Sequence, residues 1–307
     1  MITVAGLSPS LDLTYLVDTL RLGQIHRPTQ VVRCAGGKPL NMARAATALG
    51  ADALVVALLG GPTGASVAAG LARDGVRVVE VATSAETRTC VSIAAADTQA
   101  LTEVYEYAAP VPAGLLPRFH AALADALRGR PGWLAICGSP PLDHAPAEVA
   151  ELVAIGRSGG QRVAVDTHGP ALAAALAAGP TLVKVNRLEA ASLLGRDLDA
   201  DLTELARAIR AGSGVDVVLT DGDAGAVALV ADPDGAEQVL TVGPPRRRGR
   251  FPVGSGDAFL GGLLTALDRG DGWAVALRTA AAAGSANALV PGPGILGPEV
   301  NASPGTE

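Results

Sequence analysis

Strand-length apolar stretches alternate with helix-length amphipathic ones along most of this chain. The predicted strands cover residues 2–6, 53–59, 76–81, 133–137, 162–166, 182–185 and 216–220. The predicted helices between them cover 64–74, 115–128, 145–157, 170–178 and two segments within 187–212. Ala53–Leu59 is apolar throughout, as a strand buried on both faces of a parallel sheet must be. A strand followed by a helix and another strand closes into a parallel pair with the helix packed on one face. The repeated unit therefore dictates an α/β fold: a central, mostly parallel sheet with helices on both faces. Near the end, 216–220 reads as pairing with 225–231 and then 237–242, followed by helices at 256–269 and 272–289.

Two regions break the rhythm. Residues 13–17 and 30–34 read as short strands, and 87–95 with 100–107 reads as a hairpin around Asp97-Thr98-Gln99. We expect one α/β domain over 1–307, with segments of about 10–34 and 87–107 forming a small β lid. The alternative is that they extend the edge of the main sheet. Ligands of such sheets bind beyond the carboxyl ends of the strands, and the lid would cover that edge.

The stretch Phe251-Pro-Val-Gly-Ser-Gly-Asp-Ala-Phe-Leu-Gly-Gly-Leu-Leu264 is a glycine turn opening into a helix. Phe259, Leu263 and Leu267 recur on one helical face. Backbone N–H groups at such a helix start favour an anion, both as donors and through the helix dipole. Asp257 lies in the first turn. A carboxylate beside an anion hole suits phosphoryl transfer: amides take up charge on the moving phosphate, and the carboxylate takes a proton from the attacking hydroxyl. For a lone turn of this kind the alternative is a helix start capped by Ser255 or Asp257. A second glycine turn, Gly36-Gly-Lys-Pro-Leu-Asn41, also feeds a helix, with Pro39 suited to the first helical position and Gly50 to its stop.

The chain of 307 residues carries a net charge of −6, which gives no support for nucleic-acid binding, and aromatics at 3% are too few for base-stacking platforms. The run Arg246-Arg247-Arg248-Gly249-Arg250 is a local basic patch, read as a solvated loop with nucleotide phosphate contact as the alternative. Cys34, Cys90 and Cys137 lack metal-ligand spacing and read as reduced thiols of a cytoplasmic protein. His26, His120, His144 and His168 show no spacing suited to a metal. The start lacks a secretory pattern, and no uncharged apolar run is long enough to span a bilayer.

Read in order, these stretches resemble the phosphofructokinase-B branch of the ribokinase-like sugar kinases, and within it 1-phosphofructokinase and tagatose-6-phosphate kinase. The motifs are Leu7-Ser-Pro-Ser-Leu-Asp12, Gly36-Gly-Lys-Pro-Leu-Asn41, Glu86-Thr-Arg-Thr89, Gly138-Ser-Pro-Pro141, Asp166-Thr-His-Gly169, Lys184-Val-Asn-Arg-Leu-Glu189, Thr220-Asp-Gly222 through Gly225, and Val253-Gly-Ser-Gly-Asp257. Each is short, and their order over nearly the whole chain carries the resemblance.

The resemblance implies an ATP- and Mg²⁺-dependent kinase acting on the primary hydroxyl of a ketohexose phosphate, fructose 1-phosphate foremost. Tagatose 6-phosphate and fructose 6-phosphate are the alternative acceptors. It implies Asp257 as base, with Gly254, Ser255 and Gly256 around the transferred phosphate. Asp12, Gly36, Gly37, Asn41 and Ser139 would contact sugar. Lys38 and Arg88 would hold the phosphate already on the substrate, since an anionic acceptor needs cations; Arg27 or His26 could add a contact. Lys184, Asn186, Thr220, Gly222, Gly225 and Val253 would serve the nucleotide. Asn186 and Glu189 would hold Mg²⁺ through waters, although Asn-x-x-Glu is equally a capping pair. A lid of exposed strands implies a homodimer that covers its edge.

The chain departs from the branch at Pro39, at Val185, at Phe251-Pro252 and at Tyr105-Glu-Tyr-Ala108. Proline at 39 removes an N–H, and the Phe251-Pro252 pair puts a monovalent cation site in doubt. The tyrosines bear on the sugar pocket. These departures keep open a non-catalytic sugar-phosphate sensor on the same fold. A dinucleotide-binding oxidoreductase is opposed by the lack of Gly-x-Gly-x-x-Gly after the first strand.

Overall fold

A computed structural model describes residues 1–298 except 113, 142–145 and 233. In chain order its elements are β1 (Ile2–Gly6), β2 (Ser10–Val17), β3 (Gln30–Gly36), α1 (Lys38–Ala48), β4 (Ala53–Leu59), α2 (Gly61–Arg73), β5 (Arg77–Ala82), β6 (Arg88–Ala95) and β7 (Leu101–Tyr105). Then follow α3 (Leu115–Leu127), β8 (Trp133–Cys137), α4 (Ala147–Ser158), β9 (Arg162–Asp166), α5 (Gly169–Ala178), β10 (Leu182–Asn186), α6 (Arg187–Leu194), α7 (Leu202–Ser213) and β11 (Asp216–Thr220). A short turn of 3-10 helix, Gly222–Ala224, leads to β12 (Ala226–Ala231), β13 (Glu237–Val242), α8 (Ser255–Arg269) and α9 (Trp273–Ala288).

Nine strands lie side by side in the order β13-β12-β11-β10-β9-β8-β1-β4-β5. From β11 to β5 every neighbouring pair is parallel, while β12 pairs antiparallel with both β11 and β13. Successive side chains of one strand feed opposite cores. Leu54, Val56 and Leu58 pack with residues of α3 to α7, while Val55, Ala57 and Leu59 pack with residues of α1, α2, α8 and α9. Both faces of β4 are thus dry, which is why its sequence does not alternate.

Residues 13–34 and 87–107 do not extend the main sheet. They form a second sheet of four strands, β3-β2-β6-β7. β2 starts three residues before the apolar stretch predicted it, because it pairs with β6 from Ser10 to Val17. α2 also starts earlier than predicted, at Gly61. Pro62 takes an early helical position, where a missing N–H costs nothing, and Glu86 Oε1 accepts the N–H of Thr63 at 2.8 Å. Gly37 precedes α1, so Pro39 is the second helical residue, not the first. Residue 145, the predicted start of α4, and His144 lie outside the described residues.

β1 sits between β8 and β4, and the strand order reverses there. The carboxyl ends of strands at such a reversal leave a crevice. The chain leaves β1 through Leu7, Ser8 and Pro9 and runs directly into β2, which ties the small sheet to that edge.

α8 packs against both α1 and α9, and its closeness to α1 depends on Gly261. A Cβ there would lie 2.8 Å from Met42 O and 3.1 Å from Ala46 N. Gly261→Val should force the two helices apart, at a cost of about 1–3 kcal/mol. Denaturant unfolding should show the loss, and activity should fall with it, because Asn41 and Asp257 ride on these two helices. Unchanged stability and activity would refute this view of the contact.

Candidate active site

α8 begins behind a sharp turn. Gly254 has φ +82°, and a Cβ on it would lie 2.7 Å from Pro293 Cα, so both the backbone angle and the space require glycine. No side chain caps this helix. The capping alternative for Ser255 and Asp257 is therefore not what the turn does. Ser255 N–H is already taken by Pro252 O at 3.0 Å. The N–H groups of Gly256 and Asp257 in the first turn have no acceptor within the helix.

Asp257 is 7% exposed, and its Oδ2 accepts a hydrogen bond from Asn41 Nδ2 at 2.9 Å. Asn41 lies inside α1, not at its cap. Burial raises the Asp257 carboxyl to about 6, and the charge of Asp166 pushes the same way. The Lys38 ammonium, the Asn41 hydrogen bond and the Lys184 ammonium oppose that rise.

A charged cluster lies beside it. Asp166, at the carboxyl end of β9, is 1% exposed. Its Oδ1 accepts from Lys38 Nζ at 2.9 Å and its Oδ2 from Lys184 Nζ at 2.7 Å. Burial alone would raise this carboxyl, but the two ammonium groups and their hydrogen bonds hold it at about 2. The Asp166 charge outweighs burial and raises Lys38, with Asp257 and Glu189 acting in the same direction. Glu189 Oε1 stands 3.7 Å from Lys38 Nζ. A Cβ on Gly256 would lie 3.0 Å from Lys184 Nζ, so that ammonium faces the first turn of α8.

The second sheet supplies another wall. Asp12 on β2 accepts from Ser10 Oγ at 2.5 Å and from Gly37 N–H at 3.4 Å. Burial raises its carboxyl, opposed by those two hydrogen bonds and by Arg44 and Arg88. Arg88 donates to Glu106 O at 3.1 Å and to Ser8 O at 3.3 Å. Lys38 and Arg88 thus face one cleft but are anchored by different partners.

At the other end, Asn186 and Glu189 form a capping box on α6: Asn186 Oδ1 accepts Glu189 N–H at 2.9 Å, and Glu189 Oε2 accepts Asn186 N–H at 2.8 Å. Arg187 grips both oxygens of Asp221 at 2.8 Å, which fixes the turn after β11. Arg248 pairs with Asp223 at 2.8 Å, so the basic run folds beside this turn.

One cleft of about 1370 Å³ joins these groups. Asp12, Gly37, Lys38, Asn41, Arg88, Lys184, Asn186, Glu189, Thr220, Gly222, Gly225, Val253, Gly254, Ser255, Gly256 and Asp257 all line it, as do Arg246, Arg247 and Arg248. Gly36, Ser139, His26 and Arg27 are not among its lining residues. Gly36 lies against the Asp12 carboxylate, where a Cβ would be 2.0 Å from Cγ. Ser139 Oγ lies 3.3 Å from His168 Nε2 in an exposed contact.

Three supporting residues escape a reading of the sequence. Asp166 stands in a quoted motif, but only the two lysines give it a role. Arg44, 5% exposed, donates to Pro293 O at 2.8 Å, to Asp74 at 2.6 Å and to Ala35 O, and its guanidinium is 3.5 Å from Asn41 Oδ1. Asn287, fully buried in α9, donates to Val253 O at 2.8 Å and accepts from Gly294 N–H at 2.6 Å. The available signal was a lone polar residue on an otherwise alanine-rich helical face.

The sequence matches the pfkB family of carbohydrate kinases over residues 1–299. It is 36% identical to a 1-phosphofructokinase of Rhodobacter capsulatus over 284 residues, 92% of this chain and 88% of that protein. The fold is similar to that of phosphofructokinase-2 from Escherichia coli crystallised with potassium: TM-score 0.87, 27% identity, 97% of this chain and 96% of that one. A possible 1-phosphofructokinase from Thermotoga maritima shares the fold at a TM-score of 0.78 and 20% identity, covering 94% and 91%. A family match that spans both glycine turns, both walls of the cleft and the strand ends between them leaves one conclusion: this chain belongs to the pfkB family of carbohydrate kinases.

Proposed function

We propose that this chain transfers the terminal phosphate of ATP to a primary hydroxyl of a ketohexose phosphate, converting fructose 1-phosphate to fructose 1,6-bisphosphate. The observation that carries the reading is a buried carboxylate, Asp257, at the mouth of a helix whose first-turn amides face the same cleft as Lys38 and Lys184. The activity named for the Rhodobacter capsulatus relative supports the choice of acceptor.

In this reading the acceptor hydroxyl gives its proton to Asp257 as its oxygen bonds to phosphorus, and the bond to the leaving ADP breaks. The N–H groups of Gly256 and Asp257 and the Lys184 ammonium take up charge on the moving phosphate. Asp12, Asn41, Gly37 and Arg88 serve the sugar phosphate. Lys38, held between Asp166 and Glu189, serves the junction of the two substrates. Thr220, Gly222, Gly225, Val253 and Asn186 serve the nucleotide.

Among the described residues, no group of three or more His, Cys, Asp or Glu is arranged to hold a metal. One oxygen of Glu189 is also engaged in the capping box. This donor set fits Mg²⁺ carried by nucleotide phosphates and reached by Asn186 and Glu189 through water, where the ion neutralises phosphate charge. Among the described residues, no helix is long and apolar enough to cross a membrane. With three free thiols, we place the protein in the cytoplasm.

Asp257→Asn should lower kcat by about 10²–10⁴-fold with little change in sugar-phosphate affinity. Retained turnover would refute the base assignment, and wild-type binding of sugar phosphate without ATP turnover would mark a sensor instead.

With the Asp257 carboxyl raised to about 6, kcat/KM should climb as pH rises through that value and Asp257 loses its proton. Asn41→Leu removes a hydrogen bond that favours the charged form, so the acidic limb should move to higher pH. A limb that stays in place would separate Asn41 from the titration.

We further propose a homodimer formed through the lid, whose edge strands β3 and β7 and neighbouring loops expose Leu22, Ile25, Val104 and Tyr107. Val104→Asp with Tyr107→Ser should give a monomer in sedimentation analysis. An unchanged mass, or a monomeric wild type, would defeat this arrangement.

A further inference from the structure

The small sheet is tied at both ends of its strand β6, each time by an arginine. At the start of the strand Arg88 donates to Ser8 O and Glu106 O, where the chain passes between the two sheets. At its last residue, Ala95, the carbonyl accepts from Arg250 Nη2 at 3.0 Å. The two ties stand roughly 23 Å apart along the strand at the usual rise per residue. Arg250 comes from the other side of the cleft: it lies between β13 and α8, just ahead of the glycine turn at Gly254. Arg246, Arg247 and Arg248 line the cleft, whereas Arg250 is not among its lining residues and reaches the lid instead.

The backbone on either side of Arg250 is fixed to the end of α9. A Cβ on Gly249 would lie 2.2 Å from Ala288 O, and Phe251 N–H donates to the same carbonyl at 2.9 Å. Asn287 Nδ2 then donates to Val253 O at 2.8 Å. Residues 249–253 therefore share one platform with the turn, and Arg250 carries any displacement of it to the lid. The loop after α9 meets the lid as well: a Cβ on Gly292 would lie 3.1 Å from Val32 Cγ1 and 3.2 Å from Cys34 Sγ, both on β3. The Arg250 guanidinium stands 5.7 Å from the centroid of the Phe251 ring. Its Nε is buried and has no hydrogen-bond partner among the described residues. Buried donors are nearly always paired, so stability alone does not account for this contact.

We propose that Arg250 is a positioning residue that sets the lid against the donor turn. This role rests on the kinase reading and extends it to how the two substrates are brought into register. The lid carries Asp12 and Arg88 towards the acceptor, and the turn from Val253 to Gly256 receives the donor phosphates. Reacting atoms must come within about 3–3.5 Å, so an error in the placement of the lid becomes an error in the reacting distance. A nucleotide that orders the turn orders the lid through Arg250, and by linkage the acceptor strengthens nucleotide binding by the same factor.

The test uses the full-length protein with Arg250→Met, which keeps an apolar stem, and Arg250→Lys, which keeps a donor and a positive charge. Calorimetry gives Kd for fructose 1-phosphate with and without a saturating non-hydrolysable ATP analogue and Mg²⁺. In the wild type the analogue should tighten sugar-phosphate binding about fivefold or more. In Arg250→Met that factor should fall to within about twofold of unity, while Kd for each ligand alone stays within about threefold of wild type. With both substrates saturating, kcat of Arg250→Met should fall about tenfold. Arg250→Lys should lie nearer the wild type than Arg250→Met in both readouts. A wild-type factor near unity, a factor in Arg250→Met within about twofold of wild type, or an unchanged kcat would each overturn this role and leave the kinase reading intact. Loss of either ligand's own affinity by more than about tenfold would mark a merely structural residue and overturn it too, as would a lysine variant as impaired as the methionine one. A wild type that binds neither ligand would overturn the kinase reading itself, and this role with it.

Discussion

The structure depends on keeping one carboxylate out of water without neutralising it. An uncompensated carboxylate in a protein interior costs several kcal/mol, and proteins avoid the cost by protonating it or pairing it. Asp257 sits between these outcomes. Burial drives it towards the acid, while Asn41 and the fields of Lys38 and Lys184 hold it near the point where either form is accessible at neutral pH. The role proposed for Asp257, a general base, needs that balance, and it requires no residue to form a full ion pair with Asp257. The full pairing goes to Asp166, which binds both ammonium groups and so holds them within the field of Asp257.

A few elements of the fold set that balance through position. The reversal of strand order at β1 brings the ends of β9 and β10 and the starts of α1 and α8 to one edge. Gly261 lets α8 approach α1 closely enough for Asn41 to reach Asp257. Arg44 and Asn287 then bind the 293–294 segment against the turn before α8. These two buried side chains act as struts: each satisfies backbone groups that would otherwise be orphaned beneath the cleft, where an unpaired donor or acceptor costs about 1–3 kcal/mol.

The candidate site was unevenly legible in the sequence. Asp257 could be singled out from local chemistry, because a glycine turn, a helix start and an acid in the first turn are adjacent residues. Asn186 and Glu189 could be placed on one helix start for the same reason, and the structure realises their capping alternative. Asn41 was recognised as a polar group at a helix start, but its partner lies 216 residues away. Arg88 and Lys38 looked alike as free cations. In the fold one is tied to the backbone carbonyls of Ser8 and Glu106 and the other to a buried aspartate. Ser139 and Gly36 looked like contact residues and lie outside the lining of the cleft.

The sequence by itself determined the class of fold and the location of the glycine turn that opens α8, because both rest on short-range pattern. Apolar runs and helical periodicity specify parallel strands with crossovers, and glycines beside a helix start specify an anion-binding backbone. Only the tertiary structure decided that 13–34 and 87–107 form a separate sheet, that Asp166 joins two lysines, and that Arg250 reaches the end of β6. Strand order and burial set those relations. They arise from packing between segments distant in the chain, whose pairing energies no local window contains.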